Sequence, residues 1–271
     1  MTARTDTPAQ VITNARRAAD LATLDAAVSD CFACPRLVEW RAEVAATRRA
    51  SFRDEEYWGR PVPGFGQPDA RIAILGLAPA AHGGNRTGRI FTGDRSGDVL
   101  FAAMHRAGLA NQAHSVGRAD GLTLTDTRVF AAVRCAPPDN KPTPAERDTC
   151  APWLHREVEL IKPTLRVVVA LGGFAWAAWW PVLTRVYGLR APVPRPAFGH
   201  GARVDLPGAP TLLGCYHVSQ QNTSRLLLTP PMLDDIFRRA KEIAGITDLA
   251  ERPWAEGWFE RLYEQRNGGA G

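Results

Sequence analysis

The sequence predicts an α/β fold, a single domain with a central, mainly parallel four-stranded sheet flanked by helices. Three observations predict it. Four short apolar runs have the length and composition of buried strands, at residues 71–77 (RIAILGL), 127–134 (TRVFAAVR), 165–171 (LRVVVAL) and 211–216 (TLLGCY). Helical segments separate most of them, and strands alternating with helices build a parallel sheet covered on both faces. Each run is followed by a glycine-rich or polar segment, as expected at the carboxyl edge where open α/β sheets bind ligands.

The remaining elements follow in chain order. Residues 1–30 read as a helical lead-in, followed by a C-x-x-C pair, Cys31 and Cys34, and Pro35. Residues 39–50 are helical and basic on one side, and residues 59–66 (GRPVPGFG) are irregular because proline and glycine interrupt regular hydrogen bonding. A helix starts near Ser96. Another follows Thr143-Pro144-Ala145-Glu146, a capping box with proline at the first helical position. A third covers residues 174–180. The tail carries Trp254, Trp258 and Leu262 on one helical face, which suits docking onto the core. The chain thus divides into a lead-in (1–30), a main domain (31–245) and a C-terminal helical extension (246–271).

Composition narrows the functional classes. Among 271 residues, 45% are hydrophobic and 23% charged, the balance of a soluble globular protein. No apolar run has membrane-spanning length and the first thirty residues lack a secretory pattern, so a cytoplasmic location is expected. The net charge of +5 comes almost entirely from arginine, which suits bidentate phosphate contacts and favours a polyanionic partner without demanding one.

The strand-end segments are GLAPAAHGGN (76–85), CAPPDN (135–140), Gly172-Gly173 and HVSQQN (217–222). Topology alone brings them to one edge. Four of the five cysteines come in two paired segments: Cys31 with Cys34, and Cys135 at a strand end with Cys150 in the capped helix. Four such thiolates close either a tetrahedral zinc site or a cubane cluster, and spacing does not choose between them. Cys215 lies within an apolar strand and reads as core packing.

With these pieces in place, the chain resembles the uracil-DNA glycosylase superfamily, and within it the iron–sulfur, type 5 or B-type bacterial branch in an actinobacterial-like form. The resemblance rests on motifs in order: the C-x-x-C, GLAPAAHGGNRTGRIFTGDRSGD (76–98), RCAPPDNKPTP (134–144), Cys150 and HVSQQNT (217–223). It implies a DNA-repair enzyme that hydrolyses the N-glycosidic bond of uracil in double- and single-stranded DNA and leaves an abasic site. It further implies a structural [4Fe-4S] cluster on Cys31, Cys34, Cys135 and Cys150. A monomer with no membrane association is expected.

The resemblance also assigns roles. The base leaves as an anion after being flipped from the stack. His217 is the candidate to hydrogen-bond its oxygen, and Phe91 the ring that stacks on it. Gly76, Leu77, Ala78, Pro79 and Ala80 line the sugar and base. Ala78 stands where better-known relatives carry a water-handling aspartate, and Ala131 lies near the expected place of a uracil-reading asparagine. Water is therefore assigned to Asn85 and Asn140, with Asp94 as the alternate carboxylate or simply a cap before Ser96. Ala80, in place of a thymine-excluding tyrosine, predicts a pocket wide enough for hypoxanthine, ethenocytosine or 5-substituted uracils. In the loop after His217, Gln221 or Leu226 is the minor-groove wedge and Arg225 a phosphate contact. Arg48-Arg49 and the arginines of residues 86–95 are further phosphate candidates. Two rival readings remain: a relative that binds uracil or abasic DNA without turnover, and a zinc-stabilised α/β hydrolase acting on nucleotides.

Overall fold

The computed structural model describes residues 4–247; the apolar face expected at Trp254, Trp258 and Leu262 lies outside the described residues. The four expected strands form at Ile72–Gly76 (β2), Thr127–Ala131 (β3), Val167–Leu171 (β4) and Thr211–Cys215 (β6). Two more, Phe65–Gly66 (β1) and Arg203–Val204 (β5), extend the sheet. Among the described residues it therefore has six strands rather than four, in the order β1-β3-β2-β4-β6-β5. The four long strands are mutually parallel and the two additions pair antiparallel at the edges. A two-residue strand has no alternation to detect, and short edge strands are a common way to blunt a sheet edge.

Every position of the four long strands is buried. This follows from helices on both faces. Ala73 and Leu75 of β2 pack with α1 (Pro8–Arg17), α2 (Leu21–Ser29), α6 (Pro144–Ile161) and α7 (Gly173–Tyr187), where Trp153 and Trp179 fill the layer. Ile72 and Ile74 point the other way, toward α5 (Arg95–Arg106) and α9 (Pro230–Ala244). Among the described residues, no helix is long and apolar enough to cross a membrane.

The expected capping box starts α6: Thr143 Oγ1 accepts from the Glu146 N–H at 3.2 Å, and Glu146 Oε2 accepts from the Thr143 N–H at 2.7 Å. Glu146 also receives Arg36 at 2.7 and 2.8 Å, which ties α3 (Pro35–Thr47) to α6. Deeper in α6, Glu157 is fully buried between Arg128, at 2.6 Å, and Arg134. Burial would raise the Glu157 carboxyl, but the two guanidiniums outweigh it and hold it below the ordinary range. Arg128 also reaches Asp25 of α2 at 3.0 Å, so lead-in, sheet and α6 share one buried ionic network.

Candidate active site

The carboxyl ends of β2, β4 and β6 meet around one aromatic ring. Gly76 ends β2, and a Cβ there would come within 2.8 Å of the Phe91 ring, so only glycine lets the ring settle on the strand end. Phe91 lies in the turn between α4 (Gly84–Thr87) and α5 with φ of 50°. Its ring is 6.1 Å from that of His217, tilted by 41°. Gly172 follows β4 at φ of 88°, and a Cβ there would lie 3.3 Å from the His217 Cβ. Gly76, Phe91, Gly172 and His217 therefore form one compact group.

His217 follows β6 and is half-buried. Burial pushes its pKa down to about 4, so the ring is neutral near pH 7 and carries one N–H donor. Its backbone is held by Asn222, whose Nδ2 donates to the His217 carbonyl at 2.8 Å. A neutral donor beside an aromatic ring suits an acceptor that gains negative charge.

A cleft of about 890 Å³ is lined by Ala80, His82, Asp94, Asn140 and Gln220, with Arg49 and Arg95 at its walls; the four residues of this group do not line it. Asn140 is exposed at φ of 56°, following Asp139 at 53°. Asp94 caps α5, accepting from the Gly97 N–H at 2.9 Å; burial raises its carboxyl pKa. Its helix-cap role is thus realised. Asn85 is turned inward: its Nδ2 donates to the Arg41 carbonyl at 3.2 Å, while its Oδ1 is buried with no hydrogen-bond partner among the described residues. The Asn85 N–H donates to the Ala80 carbonyl at 3.0 Å and closes the first-motif loop. Leu77 is half-buried and its carbonyl accepts from the Val133 N–H at 3.0 Å. Pro79 is buried, and Ala78 packs toward Leu37, Val133 and Cys135.

Gln221, Arg225 and Leu226 all lie on the exposed surface of α8 (Gln220–Ser224) and the turn after it. Leu226 is 74% exposed at φ of 56°, beside half-exposed Leu227 and above buried Leu228. The basic segment after the first motif is different. Arg86 is ion-paired to Glu55 and stacked 3.9 Å over Phe52, and Arg89 is buried against Asp120. Neither presents a free guanidinium to a phosphate, because both hold the loop together. Sequence reasoning passed over His82, whose Nδ1 lies 3.0 Å from the Tyr57 hydroxyl, although it sits within the first motif.

At the other side of the first motif, Cys31, Cys34, Cys135 and Cys150 line a single small cavity of about 20 Å³ with Trp153. Arg41 Nη1 donates to Cys135 Sγ at 3.0 Å and the Arg134 N–H to Cys150 Sγ at 3.3 Å. Burial raises the Cys34 thiol to about 12 and Cys135 to about 11; neighbouring cysteines add to both, and Arg41 opposes the rise. Among the described residues, no three His, Cys, Asp or Glu side chains are gathered as ligands of one metal ion. Cys215 is fully buried in β6, away from this cavity.

Comparison with known proteins gives the family. The model of the uracil DNA glycosylase superfamily matches residues 63–241. The chain is 58% identical over 229 residues to a type-5 uracil-DNA glycosylase of Mycobacterium tuberculosis, covering 84% of each protein. It is 56% identical to one of Mycobacterium leprae (84% of this chain, 98% of the relative). To one of Thermus thermophilus it is 51% identical over 80% of this chain and 94% of the relative. The chain belongs to the uracil DNA glycosylase superfamily and, within it, to the type-5 group.

Proposed function

We propose that this protein hydrolyses the N-glycosidic bond of uracil in DNA and leaves an abasic site. The observation that carries this reading is the pairing of Phe91 with a neutral, half-buried His217 at the strand ends. An extruded base stacks on Phe91 and presents a carbonyl oxygen to the His217 N–H. As the C–N bond lengthens, charge grows on the base, and a pre-oriented donor stabilises it more than it stabilises the ground state. Water enters by the cleft. Asn140, exposed at its wall, is the residue best placed to orient it, and buried Asn85 supports the loop that carries Ala80. Neither amide removes a proton, so the work falls on stabilising the leaving base.

The pocket is read as permissive. Ala80 and Ala81 line the cleft where a larger side chain would narrow it. Hypoxanthine, ethenocytosine and 5-substituted uracils are therefore proposed as further substrates. Leu226 is chosen over Gln221 as the wedge, because an exposed leucine held in a left-handed conformation is hard to account for without a partner. Arg225 beside it meets phosphate.

The donor set at the thiol cavity fits a [4Fe-4S] cluster. Four cysteines surround one cavity, and N–H donors from Arg41 and Arg134 are aimed at two sulfurs. Arg134 carries further buried N–H groups without partners among the described residues. Cys31, Cys34, Cys135 and Cys150 would hold the cluster, which supplies cross-linking of the lead-in, β3 and α6 rather than redox chemistry.

Oligonucleotides containing uracil, hypoxanthine or ethenocytosine test the reading. Release of free base over many turnovers is expected, in double- and single-stranded DNA. Binding without release would overturn it, and uracil alone as substrate would remove the permissive pocket. Aerobically purified protein is expected to absorb near 400 nm; colourless, zinc-loaded protein would replace the cluster with the other candidate.

A further inference from the structure

Phe91 has φ of 50°, a backbone region that bulky L side chains avoid. Something must hold it there. Arg89, two residues before it, and Thr92, one after, are both buried and both hydrogen-bonded. Arg89 Nε donates to Thr92 Oγ1 at 2.9 Å, and its Nη2 donates to Ser115 Oγ at 2.8 Å and Asp120 Oδ2 at 2.5 Å. The Thr92 and Ser115 hydroxyls are 2.7 Å apart, and the Gly93 N–H donates to the Ser115 carbonyl at 2.8 Å. Asp120 in turn accepts backbone N–H groups of Val116 at 2.8 Å, Gly117 at 3.3 Å and Leu122 at 3.0 Å. Below the turn, the Phe91 carbonyl occupies the space a Cβ on Gly97 would need, so the first turn of α5 closes the remaining side.

We propose that the buried cluster of Arg89, Thr92, Ser115 and Asp120 is the brace that presses Phe91 onto the strand end, making the loop after α5 a determinant of excision although its cluster residues lie outside the base pocket. The inference rests on the reading of Phe91 as the stacking ring. The turn cannot relax its strained residue without breaking several buried hydrogen bonds at once, including one to a charged donor, and such groups are costly to leave unpaired. The ring is thereby confined between Gly76 and His217. Arg89, Thr92, Ser115 and Asp120 are positioning residues, acting through Phe91.

A double-mutant cycle separates this role from a simple loop clasp. Thr92→Val, Thr92→Ser and Asp120→Asn are made in the wild-type and Phe91→Ala backgrounds, and single-turnover excision of uracil from a single-stranded oligonucleotide is measured across enzyme concentrations. Phe91→Ala is expected to slow excision by roughly tenfold or more, and Thr92→Val to slow it by several-fold with half-saturation changed by less than about twofold. Thr92→Ser, which keeps the hydroxyl, restores the rate to within about twofold of wild type, and in the Phe91→Ala background Thr92→Val costs less than about twofold more. Effects that multiply fully in the Phe91→Ala background would overturn the brace while leaving Phe91 as the stacking ring. An unchanged rate for Phe91→Ala itself would overturn the stacking reading and the brace with it. If Asp120→Asn fails to fold, the Thr92 pair decides the question alone.

Discussion

The two sides of the first motif are built on opposite principles. On the thiol side, order comes from side chains: Arg36 on Glu146, Arg41 on Cys135, and Glu157 between Arg128 and Arg134. None of the four cysteines there has a positive φ. On the base side, order comes from backbone held in uncommon conformations. Phe91, Asp139, Asn140 and Leu226 all have φ between 50° and 56°, and Gly93 and Gly172 add glycine turns nearby. Strain of this kind persists only where the surroundings over-determine it. For Phe91 the buried Arg89–Asp120 cluster supplies that support, and the strained side holds the groups assigned to the substrate.

Substitutions should divide along the same line: stability on one side, rate on the other. The largest loss is expected for Glu157→Gln, which leaves Arg128 and Arg134 buried without their shared anion. Breaking a buried pair costs about 3–5 kcal/mol, so thermal unfolding should show a drop of roughly 10 °C. Excision by the protein that stays folded should change little. A large loss of rate at unchanged stability would break the comparison.

His217→Ala should do the reverse. Removing one donor to a developing anion lowers the rate by roughly 10²–10³-fold, while the melting temperature moves by only a few degrees. Near-normal excision would remove His217 from the mechanism. A smaller effect is expected for Leu226→Ala, about tenfold in duplex DNA and much less on single strands, since a wedge stabilises only the flipped state of a stacked duplex. Equal losses on both substrates would make Leu226 a surface contact.

A further effect is on pH dependence. His217 titrates near 6.5 in an unfolded chain and near 4 in the fold, where burial disfavours the cation. Between those values the unfolded chain binds more protons, so stability is lost as pH falls from about 6.5 toward 4 and is unaffected above that window. Thermal scans over this range should show a steeper acid loss for wild type than for His217→Gln. Identical slopes would mean that His217 is not buried as described.

Legibility in the sequence followed periodicity. The four long strands were readable because each is buried on both faces and so continuously apolar, whereas the two-residue strands at Phe65 and Arg203 carry no pattern. The capping box at Thr143 was readable because its contacts are local. Arg86 and Arg89 were misleading for the opposite reason: as sequence they are basic surface, yet Glu55 and Asp120, both 31 residues away along the chain, turn them inward.

The sequence by itself determined the class of fold, the strand-end location of the candidate site and the set of cysteines and motif residues assigned to it. These depend on residue type and local spacing, which the chain carries openly. Only the tertiary structure decided which motif residues meet. It put Phe91 on Gly76 and beside His217, turned Asn85 inward, left Asn140 at the cleft wall and exposed Leu226. The reason is geometric: a side chain's direction at a strand end is set by backbone torsions and by distant partners, and neither is written in the spacing of the motif itself.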